Sequence, residues 1–331
     1  MKYNKFGNTE LETSVIGLGA APIGSRTGRA ESLQTLHKAL DLGVTFYDTA
    51  PSYGQGSSEE IIGEAFKKKR DQVVLTTKVG SSISSTLQLA AKFKPLIRSL
   101  LHEIPGVRQM AQRRIQSFVQ SQTQTNNYQS SYIIESVEAS LKRLRSEYID
   151  LLLLHSPPDD VIERGEVFEV LKSLVQQGKI RYYGLSAGSI ESALICLKQP
   201  ECGISALQVT LNLYEQEIID QLLPIAKDRG IAIVAREPFA HGKLIPSLGK
   251  SDGLTYLGPL ESDDQFSFLT DGGKRTITQA ALQFVLQTEG VSVALAGMSK
   301  SNHVMENVAT LNVSPLSDQE LEKVHSMPVK L

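Results

Sequence analysis

Eight short apolar runs with β character alternate along the chain with stretches of helical periodicity, and that alternation leaves few ways to fold. The runs fall at 14–18, 44–47, 73–77, 149–154, 180–185, 206–209, 231–235 and 291–296. Helix-like stretches follow at 30–42, 57–69, 131–144, 164–177, 189–198, 216–229 and 276–288, with an eighth near 301–310. A helix that returns the chain to the same sheet makes the next strand parallel. Eight such units predict an α/β fold, a parallel sheet closed as a (β/α)8 TIM barrel. Gly178 and Gly230 read as helix stops. The rival is an open, doubly wound sheet. Against it, Gly17-Leu18-Gly19 lacks the remaining glycine of a dinucleotide fingerprint and reads as a tight turn. Residues 2–12 alternate weakly about Gly7-Asn8 and predict a small N-terminal hairpin.

With 331 residues and no internal repeat, one domain over 1–331 is expected, carrying an insertion at 81–130. The net charge of -2 gives no argument for nucleic acid or an anionic membrane as partner. No apolar run reaches the roughly 18 residues of a membrane span, and Met1-Lys2-Tyr3-Asn4 opens no signal core. Cys196 and Cys202 fit no metal spacing, so no metal site is expected. A cytoplasmic enzyme is the default reading. Residues 80–130 and 238–275 exceed the usual loop length. Both would leave the barrel at its carboxyl end, where active sites of this architecture sit.

Strand parity then singles out four polar residues. Val44, Phe46 and Asp48 share a face, as do Val74, Thr76 and Lys78, and Ile149, Leu151, Leu153 and His155. Each of the three ionisable residues ends its row, and the row before Asp48 is otherwise apolar. The three strands are neighbours in a barrel, so Asp48, Lys78 and His155 should converge at one mouth, with Tyr53 in the loop overhead. Taken singly, each has a plain structural explanation as a turn cap or a solvated strand end. Together they suit carbonyl reduction, in which the acceptor oxygen must be polarised and then protonated. A phenol is a weak acid, and an adjacent ammonium favours phenolate and improves it. Lys78 can supply that charge, Asp48 can hold it, and His155 can orient the substrate oxygen.

With these residues in hand, the chain resembles the aldo-keto reductases from the hairpin to about Leu311. The carriers include Tyr47-Asp48-Thr49-Ala50, Tyr53-Gly54, Ser58-Glu59, Gly63 and Thr77-Lys78. Tyr148 to His155, Gly178-Lys179-Ile180-Arg181, Gly184-Leu185-Ser186, Gln208, Gly297-Met298-Ser299-Lys300 and Glu306-Asn307 complete the set. The resemblance implies a (β/α)8 barrel that binds NADPH (NADP+) in extended form without a Rossmann domain. It puts the four catalytic positions on Asp48, Tyr53, Lys78 and His155, with Tyr53 the proton donor. It also implies that Ser186 and Gln208 hold the carboxamide. Gly297, Met298, Ser299, Lys300, Glu306 and Asn307 would lie at the adenosine phosphate end.

Three departures qualify these expectations. Ala187 follows Ser186 where the family usually has Asn. Arg236 stands where an aromatic residue stacks on the nicotinamide, and either stacks its guanidinium there or pairs with Glu237. His303 replaces a common arginine for the 2′-phosphate, which leaves Lys300 for NADPH and keeps NADH as an alternative. Within 81–130, Phe93, Ile97, Leu100, Ile104, Val107, Ala111, Ile115 and Phe118 recur at helical spacing, divided at Pro105-Gly106. Six basic residues face one acid, Glu103, so the insertion could meet anionic substrates or a protein partner. The leading expectation is an NAD(P)H-dependent reductase of aldehydes or ketones. A nicotinamide-binding redox sensor acting through a partner, and a Schiff-base aldolase using Lys78, are the alternatives.

Overall fold

The computed structural model describes residues 1–82, 125–245 and 264–327. An antiparallel hairpin comes first, β1 (Tyr3–Lys5) with β2 (Glu12–Ser14), so Ser14 belongs to the hairpin and not to the first barrel strand. The barrel strands are β3 (Ile16–Gly19), β4 (Phe46–Asp48), β5 (Val74–Val79), β8 (Ile149–His155), β9 (Ile180–Ser186), β10 (Ala206–Thr210), β11 (Ala232–Arg236) and β12 (Val291–Gly297). They pair in chain order, all parallel, and β12 closes on β3. Between β5 and β8, β6 (Ser81–Ser82) and β7 (Thr125–Asn126) form a two-stranded antiparallel sheet. The amphipathic helices expected between them lie outside the described residues, as do 246–263 of the second long segment.

Helices cover the barrel: α1 (Arg29–Asp41), α2 (Ser57–Phe66), α3 (Ser130–Leu144), α4 (Asp159–Arg164), α5 (Glu166–Gln176) and α6 (Ile190–Leu197), then α7 (Ile218–Gln221), α8 (Leu223–Asp228), α9 (Ile277–Gln287), α10 (Ser301–Ala309) and α11 (Asp318–Ser326). The helix expected as one piece at 216–229 is split into α7 and α8, where Pro224 near the start of α8 cannot donate back to the preceding turn. The stretch expected at 164–177 is α5, and α4 is an additional short helix before it, separated by Gly165 at φ +72. The stretch expected at 57–69 stops at Phe66. Conversely, α11 lay beyond the expected elements, although its capping box was in the sequence: Ser317 accepts from the Glu320 N–H, and the Glu320 carboxylate accepts from the Ser317 N–H. No helix among the described residues is long and apolar enough to cross a membrane.

The core has two parts, because each strand faces both ways. Phe46, Val74, Leu151, Leu153, Val234 and Val293 pack inside the barrel, and Phe6 and Leu11 of the hairpin join them. The Phe6 and Phe46 rings lie 5.7 Å apart, while Asn8 N–H donates to Gly230 O at 2.8 Å, so the hairpin plugs the amino end. Ile62, Phe66, Leu75, Leu152, Leu154 and Leu185 belong to the outer layer under the helices. Gly17 and Gly19 form no turn, contrary to the expectation, but lie within β3. A side chain at Gly17 would enter the crowded lumen, its Cβ 2.8 Å from Val293 Cγ1 and 2.9 Å from Phe46 Cδ1. At Gly19 the nearest atom would be 3.4 Å away. Gly17→Ala should therefore lower unfolding stability by about 1–3 kcal/mol in urea titration, and Gly19→Ala by clearly less.

Candidate active site

The inward-facing rows of the barrel end in ionisable groups at its carboxyl rim. β4 carries Phe46 and then Asp48, and β5 carries Val74, Thr76 and then Lys78. Both polar residues lie within their strands, which run further than expected. Lys78 Nζ donates to Asp48 Oδ1 at 2.5 Å and to Thr49 O at 3.1 Å. It also lies 3.4 Å from the Tyr53 hydroxyl, with the ammonium 5.0 Å from the ring centre. Asp48 and Lys78 are each 2% exposed. Burial alone would strip the lysine of its charge, but Asp48 and then Tyr53 outweigh it, and its pKa is raised above the usual value. Lys78 is held as an ammonium.

Asp48 is secured on its other side. Gln208 Nε2 donates to Asp48 Oδ2 at 2.9 Å, and Ser186 Oγ donates to Gln208 Oε1 at 3.0 Å. Thus Ser186 and Gln208, expected from the resemblance as cofactor contacts, brace the Asp48 carboxylate. Sequence reasoning missed this second task, which spans 160 positions and left no local signal. Tyr53 begins a short 3-10 turn to Gly56, and its N–H donates to Ala50 O at 3.0 Å. The loop after β3 holds this turn close, since a Cβ on Gly54 would come 2.9 Å from Gly24 O.

His155 ends β8, partly buried, two residues beyond Leu153, which pairs with Lys78 of β5. Burial first, then the charges of Lys78 and Arg236, lower its pKa from 6.5 to about 4. The imidazole is neutral at physiological pH. Arg236 ends β11, and Nη1 donates to Glu237 Oε1 at 3.0 Å while Nη2 donates to Ala187 O at 3.2 Å. The pairing with Glu237 is therefore formed in this structure. Arg236 Nε is buried with no hydrogen-bond partner.

The remaining expected residues cluster where β12 leads into α10. Gly297 is exposed, and a Cβ there would meet nothing within 4 Å. Lys300 is exposed at the N-cap of α10, and Ser299 Oγ hydrogen-bonds His303 Nδ1 at 3.2 Å. Glu306 is exposed and Asn307 buried on the same helix. Met298 lies between Gly297 and Ser299 with its side chain fully buried in the outer apolar core.

Other residues that carried the resemblance hold the frame. Asp150 accepts from Arg70 Nη2 at 2.6 Å, from Arg181 Nη1 at 2.9 Å and from the Leu75 N–H at 2.9 Å, tying β8 to β5 and β9. Glu59, fully buried, accepts from Thr77 Oγ1 at 2.7 Å and Arg143 Nε at 2.6 Å. A Cβ on Gly63 would press to 2.5 Å from Arg143 O, so α2 can seat on α3 only without one.

Residues 15–328 match the model of the Aldo/keto reductase family. The NADH-specific methylglyoxal reductase of Escherichia coli (strain K12) is 28% identical to the chain over 349 residues, covering 99% of this chain and 98% of the relative. Aldo-keto reductase AKR11C1 from Bacillus halodurans, in its holo form, is similar in structure with a TM-score of 0.77 and 26% identity, covering 100% of this chain and 98% of that one. An aldo/keto reductase from Klebsiella pneumoniae in complex with NADP and acetate has a TM-score of 0.68 and 25% identity, with 98% and 94% covered.

The environment of His155 sets a titration that can be measured. Its imidazole should stay neutral from pH 8 down to about 5 and titrate near 4 in NMR of labelled histidine. Because the folded pKa lies below the unfolded 6.5, the unfolded chain binds more protons between those values. Stability should therefore fall as the pH drops from about 6.5 to 4, and part of that slope should vanish in His155→Gln.

Proposed function

The chain belongs to the aldo/keto reductase family, and on that premise we propose that it is an NADPH-dependent reductase of aldehydes or ketones, with Tyr53 as the proton donor. The observation that carries this reading is the buried Lys78 ammonium, held by Asp48 and reaching the Tyr53 hydroxyl at the carboxyl rim of the barrel. Two free, buried cysteines, Cys196 and Cys202, suit the reducing cytoplasm.

The rim residues fit a dinucleotide. Ser186 and Gln208 offer paired donors and acceptors for a carboxamide, and the unpartnered Arg236 Nε leaves a donor beside them. At the far end, open space at Gly297 leads to the first turn of a nine-residue helix. Its free N–H groups and the Lys300 ammonium favour a phosphate. Ser299 and His303 stand beside Lys300, with Glu306 and Asn307 further along the helix. When bound, the nicotinamide supplies the hydride.

The protein's part is the proton and the charge. Tyr53 donates its hydroxyl proton to the carbonyl oxygen as negative charge develops there. Lys78 stabilises the phenolate left behind, and Asp48 fixes the ammonium in place. Neutral His155 donates a hydrogen bond to the same oxygen and sets the carbonyl's orientation. A Schiff-base role for Lys78 is disfavoured on physical grounds. It requires a neutral amine, and Asp48 and Tyr53 raise the pKa of this one. A panel of aldehydes and ketones, followed by loss of NADPH absorbance, tests the reading and identifies the substrate class.

Tyr53→Phe keeps the ring and removes the proton donor. It should lower kcat by about 100- to 10,000-fold while NADPH still binds, as read by fluorescence titration. Lys78→Met should do comparable damage. Turnover within a few-fold of the parent in Tyr53→Phe would remove the proposed role.

Cofactor choice is a separate expectation. A charge-assisted contact from Lys300 to the 2′-phosphate contributes roughly 1.5–3 kcal/mol, so NADPH should bind at least about tenfold more tightly than NADH. Lys300→Ala should weaken NADPH selectively. Equal dissociation constants in the parent would overturn this preference, and tighter binding of NADH would match the cofactor named for the Escherichia coli relative.

A further inference from the structure

The backbone carbonyl of His155 faces a gap in the barrel. Ser156 N–H donates to Ser186 O of β9 at 2.9 Å, and successive residues of a strand turn their peptide groups to opposite sides. The peptide groups of His155 therefore face β5. By this level β5 has ended: its pairing with β8 stops at Val79 opposite Leu154, and Gly80, at φ +106, turns the chain out into β6. No strand bond is left for that carbonyl.

Tyr128 fills the gap. Asn127 N–H donates to Gly80 O at 2.8 Å, which brings the next residue over the bend. The Tyr128 ring packs against Gly80, where any Cβ would overlap it, and its hydroxyl donates to His155 O at 2.7 Å. Burial, and then the neighbouring Tyr132, raise the pKa of this hydroxyl, which keeps it a donor.

This arrangement, taken with the reading of His155 as the group that orients the substrate oxygen, points to a further role. We infer that Tyr128 is a positioning residue for His155, its hydroxyl replacing the missing strand bond and its ring setting the separation of the β5 and β8 ends. Lys78 lies two residues before Gly80, so this separation also sets how far Lys78 and Tyr53 stand from the imidazole. The geometry is specific to a tyrosine: phenylalanine would fill the same space with no donor, and a shorter donor would not cross from Gly80 to β8.

The test compares the parent with Tyr128→Phe in steady-state reduction of benzaldehyde, and follows the His155 imidazole by NMR across pH. In the variant kcat should fall about tenfold with KM within about twofold, because the substrate still enters but meets a misplaced donor. The thermal midpoint should stay near the parent's. The His155 titration should move up from about 4 toward the ordinary value as water reaches the loosened strand end. Gly80→Ala, which keeps the hydroxyl but crowds the ring off the strand, should show the same pattern. Unchanged kcat and an unchanged His155 titration in Tyr128→Phe would overturn the proposal. A Tyr128→Phe chain that cannot fold would overturn it as well, by assigning the hydroxyl to folding. A parent that reduces no carbonyl, with the His155 titration still moved by Tyr128→Phe, would fail the reductase reading and leave the positioning role standing.

Discussion

The site depends on keeping one ammonium charged inside a protein. An ion taken from water into the interior costs several kcal/mol, and its neighbours must offset that cost or the group loses its proton. Lys78 has Asp48, the Thr49 carbonyl and the Tyr53 hydroxyl around it. Asp48 in turn takes the Gln208 amide, and Gln208 takes the Ser186 hydroxyl. Four strands, β4, β5, β9 and β10, thereby contribute to holding a single charge. Removing any link would leave another buried group unpaired, so the chain of bonds behaves as a unit.

The same physics governs the frame at a distance from the chemistry. Asp150 and Glu59 are buried carboxylates between strands and helices, each answered by arginine and by a backbone or hydroxyl donor. They lock β5, β8 and β9 in register, and register decides which side chain reaches the mouth. A slip of one residue in β5 would send Thr77 inward in place of Lys78. Motif residues that look catalytic by position in a sequence can therefore be catalytic only in consequence, through the strands they align.

Much of this was legible beforehand, for a reason that the individual residues make clear. Asp48, Lys78 and His155 each end an inward-facing row of period two, a pattern written within a few adjacent residues, and the structure puts all three at one rim. Gly17-Leu18-Gly19 was misread, because two glycines near a strand start signal a turn locally. Only the facing Val293 and Phe46 reveal that the space is already filled. The helix break at Pro224, the short helix that ends at Gly165 and the capping box at Ser317 were local signals, present and passed over.

By itself the sequence determined the alternation of strands and helices, hence the barrel, and which face of each strand carries the reactive groups. Both follow from periodicity along a short piece of chain. The tertiary structure alone decided that Gln208 braces Asp48, that Arg236 pairs with Glu237 and the Ala187 carbonyl, and that Tyr128 caps the carbonyl of His155. Except for the pairing of Arg236 with Glu237, its neighbour, these contacts join residues far apart in the chain, across strands whose relative stagger is fixed only when the barrel closes. Periodicity gives the direction of a side chain, whereas its partner depends on the register of the whole sheet.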